Sequence, residues 1–119
     1  MKAVSYGGTF QTFDDLNTPA KESINLNTLF PSGLVLGLDN NSSDPALSNK
    51  IKSVKLEVTD AAGKRDSVVL GGITTIGQRW KILPSQFDEV DTTKIVTISI
   101  VVEGQVVGVF NLDWGNYFF

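Results

Sequence analysis

The sequence predicts an all-β fold, an antiparallel β-sandwich, and three observations carry this prediction. In residues 53–59 (SVKLEVT) apolar side chains stand at every second position, the pattern of a strand with one buried and one exposed face. The apolar runs are rich in β-branched residues, which strands favour, and the run 94–103 is almost continuous. Turn-forming segments such as 60–64 (DAAGK) separate the runs at short intervals, as in a sandwich or barrel.

The order of runs and turns predicts about eight strands. No segment carries the apolar stripe of a helix, although one helical turn is expected at 84–87. Residues 17–20 and 39–49 are rich in polar residues and Pro, and they are expected to form exposed loops. The predicted strands are 3–12, 22–29, 33–39, 51–59, 65–71, 75–82, 94–103 and 106–114.

The alternation within these strands also predicts which side chains are buried. Ile76, Trp80 and Ile82 share one phase, which places them on the core side of their strand. The predicted core comprises Ile24, Leu26, Leu34, Leu36, Val54, Leu56, Val58, Val69, Ile82, Ile98, Ile100, Val102 and Leu112.

Length and composition set the class of protein and exclude several functions. A chain of 119 residues, 41% hydrophobic, fits one domain over residues 1–119 with a real core. Thirteen acidic residues against ten basic ones, with no basic block, speak against nucleic acid and anionic membranes as partners. No apolar run reaches the roughly 20 residues that a membrane-spanning helix needs. The absence of Cys and His removes thiolate chemistry, the commonest general base and the commonest transition-metal ligand.

Four segments in the second half of the chain follow a familiar order. They read SVKLEVTDAAGK at 53–64, TTIGQRWKILPSQF at 74–87, VDTTKI at 90–95 and VFNLDW at 109–114. This order resembles the C-terminal half of the jelly-roll carbohydrate-binding modules of the galactose-binding-like superfamily, as attached to bacterial glycoside hydrolases. The resemblance covers residues 33–114 and concerns turns and core positions, so it bears on fold more than on ligand.

The resemblance implies an extracellular or periplasmic, non-catalytic module with jelly-roll topology. Such a module binds polysaccharide or oligosaccharide and holds a catalytic domain of the same parent protein on its substrate. The alternative is a structural or protein-interaction β-sandwich of a larger extracellular protein. The aromatic segment 114–119 (WGNYFF) favours this alternative, because an exposed Phe pair suits docking on a partner.

Sugar binding needs flat aromatic faces for the C–H side of the ring and planar polar groups for the hydroxyls. Several candidates share a parity on predicted strands, which would place them on one sheet face. For Trp80 and Trp114 the alternative is core packing, and for Lys55, Glu57 and Arg79 it is a solvated face with ion pairs. The candidate ligand-binding residues are Trp80, Trp114, Tyr6, Lys55, Glu57, Gln78, Arg79 and Asn111, with Tyr117, Thr97, Ser99 and Asp113 as further members.

The sequence does not require a cofactor, but modules of the resembled superfamily often carry a structural calcium ion. That ion is held between the N-terminal segment and the last strand, and the matching residues here are Asp14, Asp15 and Asp113. Calcium takes six to eight oxygen ligands, so backbone carbonyls would supply the rest. The alternative is that Asp14 and Asp15 begin a surface loop.

No motif supports an enzyme, and the chain is expected to be non-catalytic. Residues 72–77 have the glycine spacing of a P-loop, but Gln78-Arg79 replaces the required Lys-Ser/Thr. A serine hydrolase would need a base and a nucleophile elbow, which the sequence lacks. Asp88 and Glu89 would need a deep cleft to act as a glycosidase pair, and a compact sandwich of this size rarely supplies one.

Overall fold

Two packed antiparallel sheets form the fold in the computed structural model, and the predicted β-sandwich is confirmed. The structure describes residues 7–14, 17, 19, 22–102 and 107–114, without the side chains of 7–11 and 114. The strands within these residues are β1 (Gly7–Thr12), β2 (Leu34–Asp39), β3 (Ser53–Asp60), β4 (Arg65–Gly71), β5 (Gln78–Ile82), β6 (Ile95–Val102) and β7 (Asn111–Trp114).

The strand pairs follow one ribbon that is folded at the β3–β4 turn. β3 pairs with β4, β2 with β5 and β1 with β6, all antiparallel. The four-stranded sheet has the order β1-β6-β3-β4, and the three-stranded sheet has the order β5-β2-β7. The chain therefore changes sheet at every connection between the described strands except the one from β3 to β4.

The core lies between the sheets and is built from alternate side chains of the central strands. In β2 the buried side chains Leu34, Leu36 and Leu38 alternate with partly exposed positions. Ile24 and Leu112 are partly buried and pack against the core cluster. The predicted core residues that are buried are Leu26, Leu34, Leu36, Val54, Leu56, Val58, Ile82, Ile98, Ile100 and Val102.

Two predicted core positions are wrong. Val69 is 70% exposed. The register of β4 with β3 places Leu70 opposite Val54, so Leu70 points inward and Val69 points outward. Ile76 is 74% exposed, because it precedes β5 and lies in a bend, where the period of a strand no longer applies.

The predicted strand at 22–29 is also wrong. Ile24 makes a single antiparallel bridge to Ile95, and a one-turn helix, α1 (Leu26–Leu29), follows. The Asn25 side chain caps this helix by accepting hydrogen bonds from the N–H groups of Asn27 (3.0 Å) and Thr28 (3.3 Å). Burial of Leu26 then fixes the turn on the core.

The other predicted element boundaries agree with the structure in part. A 3-10 helical turn, Pro84–Gln86, confirms the helical turn expected at 84–87. β5 and β7 begin later than predicted, at Gln78 and Asn111. Residues 3–6 and the predicted turn at 103–105 lie outside the described residues, and the single domain over 1–119 stays a prediction.

The turn between β3 and β4 is organised by the buried Asp60 carboxylate. Its Oδ1 accepts hydrogen bonds from the N–H groups of Ala62 (2.9 Å) and Lys64 (3.0 Å), and Gly63 supplies the positive φ of 84°. Its Oδ2 accepts the N–H of Asp91 (2.9 Å) and so ties this turn to the loop before β6. Asp66 makes a second tie by accepting the N–H of Glu89 (3.1 Å).

These ties make the stability of the fold sensitive to acid. The Asp91 N–H lowers the pKa of the Asp60 carboxyl below its ordinary value, and the Glu89 N–H does the same for the pKa of Asp66. A carboxyl whose pKa is lower in the folded state stabilises the fold above its unfolded pKa. That contribution is lost as pH falls through the folded pKa, here below about pH 4.

We therefore expect the urea midpoint of unfolding to fall as pH decreases from about 5 to about 3. An Asp60→Asn variant keeps the first acceptor oxygen but presents an N–H₂ group to Asp91. It should have a lower midpoint than the wild type at pH 7, and this difference should narrow toward pH 3. A difference that stays constant with pH would contradict the role given to the carboxylate.

Candidate functional site

An open groove crosses the outer face of the three-stranded sheet, with Gly37 of β2 at its centre. Leu36 and Leu38, on either side of Gly37 in sequence, point into the core, so Gly37 faces solvent. Arg79 of β5 and Asp113 of β7 lie directly opposite Gly37 on its two sides, and both are exposed. These three residues therefore form one row across the sheet.

The groove exists because Gly37 contributes no side chain to the middle of this row. Since neighbouring strands lie about 4.8 Å apart, the backbones of Arg79 and Asp113 are about 10 Å apart. A Cβ placed on Gly37 would lie 3.3 Å from the Asp113 Cβ, so the Asp113 side chain borders the gap. The groove has a volume of about 320 Å³ and is lined by Gly37, Leu38, Asp39, Gly77, Gln78, Arg79, Asn111, Leu112 and Asp113.

One end of the groove is held by a hydrogen-bond network around Asp39. Asp39 lies opposite Asn111 in the register of β2 and β7. The Asp39 Oδ1 accepts hydrogen bonds from Asn111 Nδ2 (2.6 Å) and from the N–H of Asn41 (3.0 Å). Asn111 Nδ2 also donates to the carbonyl oxygen of Asn41 (2.9 Å). The Asn111 side chain is thus fixed, while Arg79 and Asp113 make no hydrogen bond or ion pair within the described residues.

A buried asparagine anchors the loop that carries this network. Asn40 is completely buried, and its Nδ2 donates to the carbonyl oxygens of Ile51 (2.8 Å) and Ile73 (3.1 Å). It therefore joins the end of β2 to the segments before β3 and after β4. Among the residues that the structure describes, the buried Asn40 Oδ1 has no hydrogen-bond partner. Because Asn40 is anchored in the core, it fixes the positions of its neighbours Asp39 and Asn41.

The structure brings together four of the residues that the sequence singled out. Gln78, Arg79 and Asn111, predicted to bind ligand, and Asp113, predicted to bind metal, all line the groove. Gln78 is exposed at the first position of β5. Gln78 pairs with the buried Leu38 and so shares the core-side parity of Trp80. The outer-face side chains of the groove thus include a guanidinium, one amide and two carboxylates, the second carboxylate from Asp39.

Lys55 and Glu57 lie elsewhere, on the outer face of the four-stranded sheet. They belong to β3, with Glu57 opposite Ser99 of β6, and Lys55 Nζ lies 4.0 Å from Glu57 Oε2. Thr97 and Ser99 share this face, opposite Thr59 and Glu57. The predicted polar residues are therefore divided between two faces on opposite sides of the sandwich. Lys55 and Glu57 form an ion pair along β3, whereas the alternative expected pairs across strands.

The predicted aromatic platforms do not lie in the groove. Trp80 is opposite the buried Leu36, half-buried, and packed against the core, as the core-packing alternative proposed. The backbone of Trp114 lies opposite Leu36 on its other side, while its side chain lies outside the described residues. Tyr6 and Tyr117 also lie outside the described residues.

The predicted calcium ligands are distributed over both sheets. Asp14 follows β1 of the four-stranded sheet, and its Oδ1 accepts the N–H of Glu22 (3.0 Å), while Asp113 lies in the groove of the other sheet. Asp15 lies outside the described residues. Within the described part of the chain, no three Asp, Glu, His or Cys side chains group closely enough to hold a metal ion.

Sequence reasoning did not identify Gly37, Asp39 or Asn40 as part of a site. The signal for Gly37 was present, because a glycine between two buried leucines interrupts an otherwise regular strand, and such a glycine often marks a close approach. Asn40 was assigned to an exposed loop on composition alone, and Asp39 was placed where the predicted strand 33–39 meets that loop. Their roles depend on contacts with residues 51, 73 and 111, which no local pattern reveals.

Comparison of the chain with family models, curated proteins and solved structures finds no match. Among the described residues, no helix has the length and apolar character needed to cross a bilayer.

Proposed function

We propose that this protein is a non-catalytic carbohydrate-binding module that holds polysaccharide or oligosaccharide in the groove over Gly37. The proposal rests on one observation. Exposed side chains with planar polar groups surround Gly37, which forms the floor of the groove and has no side chain. Arg79 and Asp113 flank this floor on the outer face and make no hydrogen bond or ion pair within the described residues, while Asn111 is held in place beside them. Guanidinium, amide and carboxylate groups are the side chains that pair with sugar hydroxyls.

The groove suits a ligand that is bound by hydrogen bonds rather than by stacking. None of its nine described lining residues is aromatic, so the usual apolar platform for a sugar ring is missing from these walls. Binding by exposed hydrogen bonds alone is weak, since each contributes about 1 kcal/mol net. We expect dissociation constants on the order of 0.1–1 mM for a single oligosaccharide.

We further propose jelly-roll topology for the sandwich. The ribbon consists of three observed strand pairs, β1·β6, β2·β5 and β3·β4, and the chain alternates between the two sheets. Both features support this topology, because a jelly roll is a wound arrangement of Greek keys. The topology supports the resemblance to carbohydrate-binding modules, though fold alone does not define a ligand.

Within a parent protein, the module would act by raising effective concentration. A domain that binds the polymer keeps a linked catalytic domain near its substrate without any new catalytic contact. Weak binding by the module alone is enough, because linkage to the bound module makes the encounter of the catalytic domain with the polymer intramolecular. A module that binds such polymers would act in an extracellular or periplasmic setting.

The test is a titration of the purified chain against soluble xylan, galactan, glucomannan and mixed-linkage β-glucan by affinity electrophoresis and calorimetry. We expect at least one polymer to bind. Arg79→Ala should weaken that binding about tenfold or more, because a charged hydrogen bond contributes roughly 1.5–3 kcal/mol.

Arg65→Ala is the matched control, since Arg65 is also an exposed arginine on an edge strand but belongs to the four-stranded sheet. It should leave binding unchanged. Equal losses in the two variants would show that general charge, and not the groove, attracts the polymer. No binding to any of the four polymers by the folded chain would overturn the proposed function.

A second function, protein interaction, is favoured by an apolar area beside the two helical turns. A surface depression of about 350 Å³ there is lined in part by Pro31, Leu83 and Pro84. Leu83 is 42% exposed, and Leu29 at the end of α1 is 48% exposed. Sedimentation at rising concentration would detect self-association through this area, and Leu83→Ser should then abolish it.

A further inference from the structure

The amide of Asn111 has its hydrogen-bonding polarity fixed by its neighbours. Its two N–H bonds are used by Asp39 Oδ1 at 2.6 Å and by the Asn41 carbonyl at 2.9 Å. An amide has two donors and one acceptor oxygen, so only the Asn111 Oδ1 is left for a ligand. Asn111 is therefore an acceptor in the groove, although asparagine side chains generally serve in both roles.

The β7 side of the groove thus offers acceptors, and the β5 side offers a donor. Asn111 and Asp113 are two residues apart on β7 and share its outer face, about 7 Å from each other. An ionised carboxylate only accepts hydrogen bonds, and a guanidinium only donates them. The ligand must present hydroxyl donors toward Asn111 and Asp113 and an acceptor oxygen toward Arg79.

The charge of the groove adds a second restriction. Two carboxylates, Asp39 and Asp113, face one guanidinium, Arg79, so the lining residues carry an excess negative charge. An anionic sugar would meet this charge at short range, where repulsion is only partly screened. Repulsion between like charges mainly determines which ligands are rejected, and it has a smaller effect on the affinity for the ligand that binds.

We infer that the groove selects neutral glycans with free hydroxyl groups and rejects uronate-type polymers, with Asp39 as the positioning residue that sets this selectivity through Asn111. This inference rests on the proposed function and specifies its ligand class. Asp39 acts through Asn111, by holding its amide with the oxygen available.

The first test compares three forms of whichever neutral polymer binds among xylan, galactan, glucomannan and β-glucan. O-methylation removes the hydroxyl donors and keeps the oxygen acceptors, while carboxymethylation adds negative charge. We expect each derivative to bind at least about tenfold more weakly than the parent polymer. Polygalacturonate, a natural uronate polymer, should show no binding at the same concentrations.

The second test addresses the positioning role of Asp39. Asp39→Ala removes one of the two acceptors that orient the Asn111 amide and leaves only the Asn41 carbonyl, so discrimination against the O-methylated polymer should fall by up to about tenfold. Asp39→Asn keeps an acceptor oxygen and should restore most of the discrimination. The side-chain amide signals of Asn111 in nitrogen–proton spectra should shift in Asp39→Ala and stay near the wild-type position in Asp39→Asn.

The outcomes separate this inference from the proposed function. Tight binding of polygalacturonate or of the O-methylated polymer would overturn the inference while leaving glycan binding intact. Unchanged discrimination in Asp39→Ala, with an unshifted Asn111 amide, would overturn the role of Asp39. Failure of every polymer to bind would instead contradict the proposed function itself.

Discussion

Replacing Gly37 with leucine is expected to abolish polysaccharide binding, with a loss of about 100-fold or more. The leucine side chain would stand in the row between Arg79 and Asp113 and fill the floor of the groove. It would exclude the ligand from both polar walls at once, which removes several hydrogen bonds of roughly 1 kcal/mol each. Calorimetric titration of the polymer that binds the wild type measures the effect.

The same substitution should not unfold the protein. Gly37 does not have the positive φ that demands glycine. Its added Cβ would lie 3.3 Å from the Asp113 Cβ, so Asp113 on the edge strand β7 must give way by a few tenths of an ångström. Glycine in a strand is less favourable than alanine by about 0.5–1 kcal/mol, so the thermal midpoint should stay equal or rise slightly. Gly37→Ala should likewise keep or slightly raise the thermal midpoint, and it should lose less polysaccharide binding than Gly37→Leu.

Gly71→Leu is the control for this experiment. Gly71 ends β4 on the other sheet, and a Cβ there meets nothing within 4 Å. This variant adds the same apolar side chain to a strand without touching the groove, so it should bind polysaccharide like the wild type. Wild-type binding by Gly37→Leu would refute the location of the site.

Truncation of Leu56 to alanine is expected to cause the largest loss of stability, about 3–4 kcal/mol. Leu56 lies in the middle of β3, is completely buried, and stands opposite Ile100 of β6. Truncation removes its buried atoms and leaves a cavity in a close-packed layer. Since domains of this size have total stabilities of about 5–15 kcal/mol, the variant should remain folded but with a much lower urea midpoint.

Val69→Ala is the matched test on the neighbouring strand. Because Val69 is 70% exposed, its truncation should change the free energy of unfolding by less than about 0.5 kcal/mol. A loss near 2 kcal/mol would mean that the apolar pattern of 68–70 was a better guide to burial than the strand register.

The comparison of β3 with β4 shows what the sequence determines about the fold. In β3 every second residue is apolar, so only one face is suitable for the core, and the predicted burial of Val54, Leu56 and Val58 is correct. In β4 the run Val68-Val69-Leu70 is continuous and allows either phase. There the register with β3 decides, and it is a long-range property.

The groove illustrates why the sequence singled out only some of the residues that line the candidate site. Arg79 and Asn111 were recognised as polar groups on strands, but their partnership depends on β2 lying between β5 and β7. The sequence separations from Gly37 to Arg79 and Asp113 are too large for any local pattern to report. Trp80 was a reasonable aromatic candidate by residue type, yet its parity places it on the core face, opposite Leu36.

The most direct test of the central claim is to map binding on the protein by nitrogen–proton NMR during titration with an oligosaccharide of the polymer that binds. The account predicts that shift changes concentrate at residues 37–39, 77–79 and 111–113, around the groove of the three-stranded sheet. Changes concentrated instead at residues 55–57, 67–69 and 99–101, on the outer face of the four-stranded sheet, would contradict it.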